Sequence, residues 1–169
     1  LVPLFDPIRG VSLLALFVKM FLAVVFGGLI GLERGHKHRA AGSRTYMIVC
    51  LGAALTIILS QYDNWLITEA WKEVCELLGR KVDVSRYAAK VIGGIGFLGA
   101  GTIIVTGRQE VKGLTTAAGL WTSACMGLAI GSGYYECAIL AFFLILFTTV
   151  VLEKVSSWVV SRARNMDLY

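Results

Sequence analysis

The sequence predicts an all-α membrane protein with five transmembrane helices and one amphipathic helix on the outer surface. Three observations carry that prediction. Hydrophobic residues make up 57% of the 169-residue chain and charged residues 16%, against roughly 45–50% and 25% in a soluble domain. The apolar excess falls into five runs of about membrane-spanning length. The basic residues between the runs collect on alternate connections, as in a chain that crosses a membrane repeatedly.

The first run, 11–32, reads "VSLLALFVKMFLAVVFGGLIGL" and holds one charge, Lys19. The second is 45–61, the third 88–106, the fourth 113–133 and the fifth 136–153, which has an acid at each end. At ~1.5 Å per residue each is long enough, or nearly so, for a hydrocarbon core of ~30 Å. The last two are joined so closely that a tight hairpin is expected. In "NWLITEAWKEVCELLG", Leu66, Ala70, Val74 and Leu77 recur at helical spacing while Glu69, Lys72, Glu73 and Glu76 face elsewhere. With Trp65 and Trp71 as anchors, this segment reads as an interfacial helix on the outer side. A lid over a pore is the other reading. One domain, 1–169, accounts for the whole chain.

An odd number of spans puts the termini on opposite sides. Arg34, Lys37, Arg39, Arg44, Arg108, Lys112, Lys154, Arg162 and Arg164 fall on one side, and Arg9, Lys72, Arg80, Lys81 and Arg86 on the other. The richer side is assigned to the cytoplasm, so the N-terminus lies outside. Lys19 and Lys90 sit near outer ends and can snorkel, Lys90 also being close to Asp83 in sequence. The net charge of +5 therefore reports topology, and no nucleic-acid partner is inferred. The chain begins at Leu1, so it can be part of a longer protein. Its first run is too long for a signal-peptide core and no cleavage pattern follows. Cys50, Cys75, Cys125 and Cys137 form no C-x-x-C pair and read as small buried hydrophobes.

Glycine dominates the third run. "GGIGFLGAG" contains Gly94-x-Gly96-x-x-Gly99, the spacing of a dinucleotide-binding turn. That motif needs a strand before it and an acid about 20 residues on; this one lies inside an apolar run with neither. In lipid, small residues instead let helix backbones approach. The third run, with Gly101 added, is expected to be enclosed by neighbours on several sides. Gly119, Ser123, Gly127 and Gly131 make a cleaner four-residue stripe, and Gly27 and Gly31 begin another. A broken helix lining a polar cavity is the alternative for such segments.

The polar residues that remain lie at predicted cytoplasmic ends. Glu33 and Arg34 close the first span; Arg44 and Thr45 open the second; Lys112, Thr115 and Thr116 open the fourth. Free N–H groups at helix starts favour anions, and the threonines can cap them. These residues form either a cytoplasm-facing polar site or a set of snorkelling and ion-paired ends. Glu33-x-x-His36 has the spacing of a di-iron pair, but no second such motif exists in the chain. No nucleophile, base and orienting group recur together, so no enzyme is expected, nor any cofactor or metal site.

Taken together, "GGLIGLERG", "AGSRT", "GGIGFLGAGTI" and "VKGLTTAAGLWTSACMGLAIGSGYY" resemble the MgtC/SapB family of bacterial membrane proteins over most of residues 22–135. Ser43 departs from the leucine of the family's AGLRT-like motif. "DVSRYAAK" resembles its stretch with an acid and an arginine, without the usual proline. By residue match, the motif positions fall on Glu33, Arg34, Arg44, Thr45, Asp83, Arg86, Gly96, Gly99, Gly101, Gly113, Thr115, Thr116 and Trp121.

The resemblance implies an inner-membrane protein linked to adaptation to low magnesium and to survival in host cells. It implies regulation of membrane partners, F-type ATP synthase among them, and a cytoplasmic C-terminal domain in some members, which is expected to be absent from this chain. The reading is a non-enzymatic protein that docks other membrane proteins in a lipid environment, with a homodimer as one form. The alternative is a small ion or solute transporter with Glu33 and the basic residues at its mouth.

Overall fold

The computed structural model describes residues 10, 12–37, 39–77, 83, 85–105 and 111–152. The basic residues Arg9, Arg80, Lys81, Arg108, Lys154, Arg162 and Arg164, used above for orientation, lie outside the described residues. Helix α1 (Leu13–His36) starts where the Ser12 hydroxyl accepts from the Ala15 amide at 3.3 Å. Helix α2 (Ser43–Trp65) runs on into a π-helical turn, Leu66–Ala70. A short α3 (Lys72–Leu77) follows, then α4 (Ser85–Gly101). Two-residue strands β1 (Ile104–Val105) and β2 (Val111–Lys112) pair antiparallel, Ile104 opposite Lys112. Helices α5 (Leu114–Ser132) and α6 (Tyr135–Leu146) close the order, α6 extending as a π-helical turn to Leu152.

Among the described residues three helices are long and apolar enough to cross a membrane: Leu13–His36, Ser43–Glu69 and Leu114–Ser132. Helix α4 has 17 residues, and the last apolar helix, Tyr135–Val151, is also of the shorter kind. The third apolar run thus ends as helix at Gly101, short of residue 106. Near its end Ile104 and Val105 pair with Lys112 and Val111 in the β ladder instead. The predicted surface helix is also not one piece. Its first part prolongs α2, and the backbone leaves helical geometry at Trp71, φ −119°, before α3 begins.

Helix α5 lies against α1, α2, α4 and α6, and α2 packs broadly along α1. The reason is small side chains. A Cβ on Gly27 would stand 2.7 Å from the Tyr46 carbonyl oxygen and 2.9 Å from Cys50 Cβ, and one on Gly31 would stand 2.5 Å from Ser43 Cα. On α5, Gly119 meets the Tyr46 ring, Gly127 meets Cys50 and Ala53, and Gly131 meets Ala54 and Ile57. Ser123 of the same stripe is buried, its hydroxyl donating to the Tyr46 carbonyl at 3.4 Å. Between helices surrounded by lipid tails there is no hydrophobic drive, so this close approach supplies the attraction.

Helix α4 behaves otherwise. Only Ile95 and Gly99 are buried, Gly99 against Ala117. A Cβ on Gly93, Gly94, Gly96 or Gly101 would meet nothing within 4 Å. The expectation that this run is enclosed on several sides is corrected. The helix touches the bundle along one face, on α5 and to a lesser extent α2, and most of its glycines point away.

Two glycine-to-alanine substitutions separate these roles. Gly27→Ala should lower stability by about 1–3 kcal/mol through overpacking against α2. Gly96→Ala should leave it unchanged or raise it by about 0.4–1 kcal/mol, through the unfolded chain's lost freedom. Thermal denaturation of the two variants in one detergent checks both signs.

Candidate functional site

The polar residues at the α1 terminus form the first cluster. Position 34 faces inward on α1, one turn beyond Ile30 and Gly31, so the Arg34 side chain is driven into the bundle and is 1% exposed. A buried guanidinium needs charge and acceptors close by. Glu33 supplies a carboxylate to Arg34 Nε, and the Thr149 carbonyl accepts from Arg34 Nη2 at 3.2 Å. Lys37, one turn on, places Nζ 2.7 Å from Glu33 Oε1 and 3.2 Å from the same Thr149 oxygen. The cluster ties the end of α1 to the extension of α6.

Beside Arg34 opens a pocket of about 250 Å³ among α1, α2, α5 and α6, with Ile30, Tyr46, Thr115 and Gly119 on its walls. Three more threonines reach it, but their hydroxyls are spent within their own helices. Thr122 donates to the Gly119 carbonyl at 3.0 Å, Thr148 to Leu144 at 2.7 Å and Thr149 to Leu146 at 3.3 Å. Their methyl groups therefore leave a mostly apolar wall.

A second pocket, about 460 Å³, sits at the start of α5. Arg39, Thr102, Lys112, Thr115 and Thr116 line it, and Thr115 borders both pockets. The residues predicted to gather at the cytoplasmic ends are thus divided. Glu33 and Arg34 belong to the first cluster; Lys112 and Thr116 belong to the second. Arg44 and Thr45 are exposed and line neither. Sequence reasoning missed Arg39 and Lys37 as members and had no signal for the Thr149 carbonyl. It also missed Tyr46, whose hydroxyl donates to the Thr116 carbonyl at 3.4 Å and joins the two clusters.

At the other end of the bundle Lys19 is fully buried, its Nζ donating to the Gly10 carbonyl at 3.1 Å and to Gln61 Oε1 at 3.3 Å. It docks between α1 and α2 rather than snorkelling outward. Arg86 and Lys90 are exposed one turn apart on α4 and line a pocket of about 250 Å³ with Thr56 and Tyr87. Neither is in an ion pair among the described residues, so Lys90 does not pair with Asp83. Asp83 instead opens α4, its Oδ1 accepting from the Ser85 hydroxyl at 2.6 Å and the Ser85 amide at 3.1 Å. The Ser85 hydroxyl, then the Ser85 amide and Arg86, hold the Asp83 carboxyl below its ordinary range despite slight desolvation. Among the described residues no three His, Cys, Asp or Glu side chains group as metal ligands.

A family model described as "MgtC family" matches residues 20–158. The chain is 35% identical over 151 residues to "Putative magnesium transporter YhiD" of Escherichia coli K12, covering 89% of this chain and 66% of that protein. It is 39% identical over 146 residues to an uncharacterized protein of Haemophilus influenzae, covering 86% and 59%. With "Protein MgtC" of Brucella abortus the identity is 38% over 131 residues, covering 78% and 48%. The chain thus spans about half to two thirds of the length of these curated relatives. No solved structure matches it.

Arg34→Ala, which leaves Glu33 half-buried without its nearest cation, should cost about 3–5 kcal/mol, whereas Arg44→Ala on the surface should stay within about 0.5 kcal/mol. Paired thermal melts test the contrast. Ser85→Ala should move the Asp83 pKa up toward the usual carboxylate value, read by carbon NMR titration. The sign follows from the lowered folded value: the Asp83 cap contributes above the unfolded pKa and is lost as pH falls through the folded one.

Proposed function

The chain belongs to the MgtC family, and we propose that it is a non-enzymatic membrane protein that docks and regulates other membrane proteins through helix α4. The observation that carries this reading is the open face of α4. Arg86, Lys90, Gly93, Phe97 and Gly101 recur at helical spacing on that face, with Gly94 and Gly96 at its edges. Ile95 and Gly99, opposite, hold the helix to the bundle. Phe97 is 84% exposed. Glycines without neighbours offer a second helix the close backbone approach that membrane association uses. Two copies meeting α4 to α4 in one membrane run parallel and bring Arg86 and Lys90 against themselves, which favours a different helix with an acid near its outer end.

In this reading α1, α2, α4, α5 and α6 make five crossings of the bacterial inner membrane, with the N-terminus outside and the C-terminus cytoplasmic. The physiological setting is adaptation to low magnesium and survival inside host cells, with F-type ATP synthase among the partners the family resemblance suggests. The alternative is transport, and it draws support from the printed name of the Escherichia coli relative. Magnesium requires several oxygen ligands on retained waters. The Glu33 carboxylate is engaged by Arg34 and Lys37, and the pocket beside it is walled by methyl groups, so the arrangement favours docking.

Two measurements on the full-length protein decide between the readings. A photo-crosslinker at Phe97 in native membranes should capture a membrane protein, and Gly93→Leu should abolish the adduct while the thermal melt is unchanged. Proteoliposomes should show no magnesium flux above empty vesicles. Flux that Glu33→Gln abolishes would replace docking by transport.

A further inference from the structure

We infer that the groove between α2 and α4 seats an anionic phospholipid, its phosphate held by Arg86 and Lys90 and its chain lying along α2. The two cations are four residues apart, stand on one face of α4 and border a pocket of about 250 Å³ with Thr56 and Tyr87. Like charges at this spacing repel, and among the described residues neither is in an ion pair. The acids within reach are committed elsewhere. Asp63 of α2 accepts from the Tyr87 hydroxyl, and Asp83 accepts from the Ser85 hydroxyl and amide. The Arg86 amide is taken by the Asp83 carbonyl at 3.3 Å. The start of α4 is therefore capped, and what the pocket presents is side-chain charge rather than bare amides.

Depth and shape name the occupant. The bond from Tyr87 to Asp63 sets the cations level with the end of α2, where Tyr62 and Trp65 stack with ring centroids 5.9 Å apart and stand half-exposed. Exposed Tyr and Trp mark the headgroup level of a membrane. Away from that end, Leu59, Thr56, Gly52 and Ile48 follow Asp63 along one face of α2 at helical spacing. Leu59 and Ile48 are exposed, and a Cβ on Gly52 would meet nothing within 4 Å. The Thr56 hydroxyl donates to the Gly52 carbonyl at 2.7 Å, so the strip is apolar in effect. Two cations at headgroup depth beside an open apolar strip match a molecule with an anionic head and a hydrocarbon tail. A soluble anion would use the cations alone, and a zwitterionic lipid would bring its own cation against them. The inference rests on the reading in which α4 crosses the membrane, and it needs no partner protein. A partner's acid would meet the same pair by displacing the lipid.

The test uses the full chain in phosphatidylcholine nanodiscs carrying a small fraction of chain-spin-labelled lipid. Labelled phosphatidylglycerol should show a larger immobilised fraction than labelled phosphatidylcholine. Arg86→Gln and Lys90→Gln should each cut that preference about fivefold. Lys72→Gln, which removes an exposed cation of α3, should leave it unchanged. A nitroxide on Phe97→Cys, relaxed by oxygen rather than by a water-soluble nickel chelate, checks separately that α4 lies in hydrocarbon. Failure of the crossing is thereby told apart from failure of lipid binding. Arg86 and Lys90 are exposed, so unchanged melting of their variants shows that the fold persists. No preference for the anionic lipid, a preference that neither substitution lowers, or an equal fall in Lys72→Gln overturns the inference. So does calorimetric binding of inorganic phosphate without any lipid preference, which would make the occupant a soluble anion.

Discussion

Everything in this bundle depends on the packing of Tyr46. The residue is fully buried, and glycines on two different helices, Gly27 and Gly31 on α1 and Gly119 on α5, clear the space around it. A large side chain needs room, and here the room comes from deleting side chains on the neighbours. That exchange brings three backbones close enough for Ser123 to reach the Tyr46 carbonyl and for the Tyr46 hydroxyl to reach Thr116. In lipid, dispersion contacts and such short polar links are what association has available. Because Tyr46 also walls the pocket beside Arg34, the core and the polar end are one construction.

The two buried cations extend that logic to the ends of α1. Lys19 is secured by Gln61 of α2 near one end, and Arg34 by Glu33 and the Thr149 carbonyl near the other. An ion pair with poor partners would be a net cost in so dry a setting. Held by these partners, the two cations fix where α1 sits along its neighbours, a register that glycine stripes alone leave free to slide.

The legible part of the structure was the part written in local spacing. Gly119, Ser123, Gly127 and Gly131 all lie on one helical stripe, so their joint packing against α2 follows from periodicity. The "GGIGFLGAG" run misled because glycine at so many positions erases the face: composition says that a helix can pack closely and is silent on which side. The β ladder was missed because two residues per strand leave no period to detect. Arg34 was legible as a polar end, but its acceptor on residue 149 belongs to a backbone carbonyl in a π-helical turn, and no side-chain pattern encodes that. Arg39 looked like a charge for orientation and became a pocket wall only through the turn between α1 and α2.

The contrast between packed and open glycines also bears on what α4 can do. Every glycine in the α1, α2 and α5 contact is held by a neighbour that an added methyl group would strike, so those helices have one arrangement. Helix α4 adheres through Ile95, Gly99 and partly buried Ala88 and Val91, and a helix with so few buried contacts has the lowest cost of shifting. In the proposed five-crossing arrangement its open face would gain no hydrophobic energy by leaving lipid, since lipid is as apolar as any partner. What a partner can gain there is close backbone contact at the glycines and charge at Arg86 and Lys90. Both reward shape and placement rather than area, so in the proposed docking role this face would select a partner more than hold one tightly.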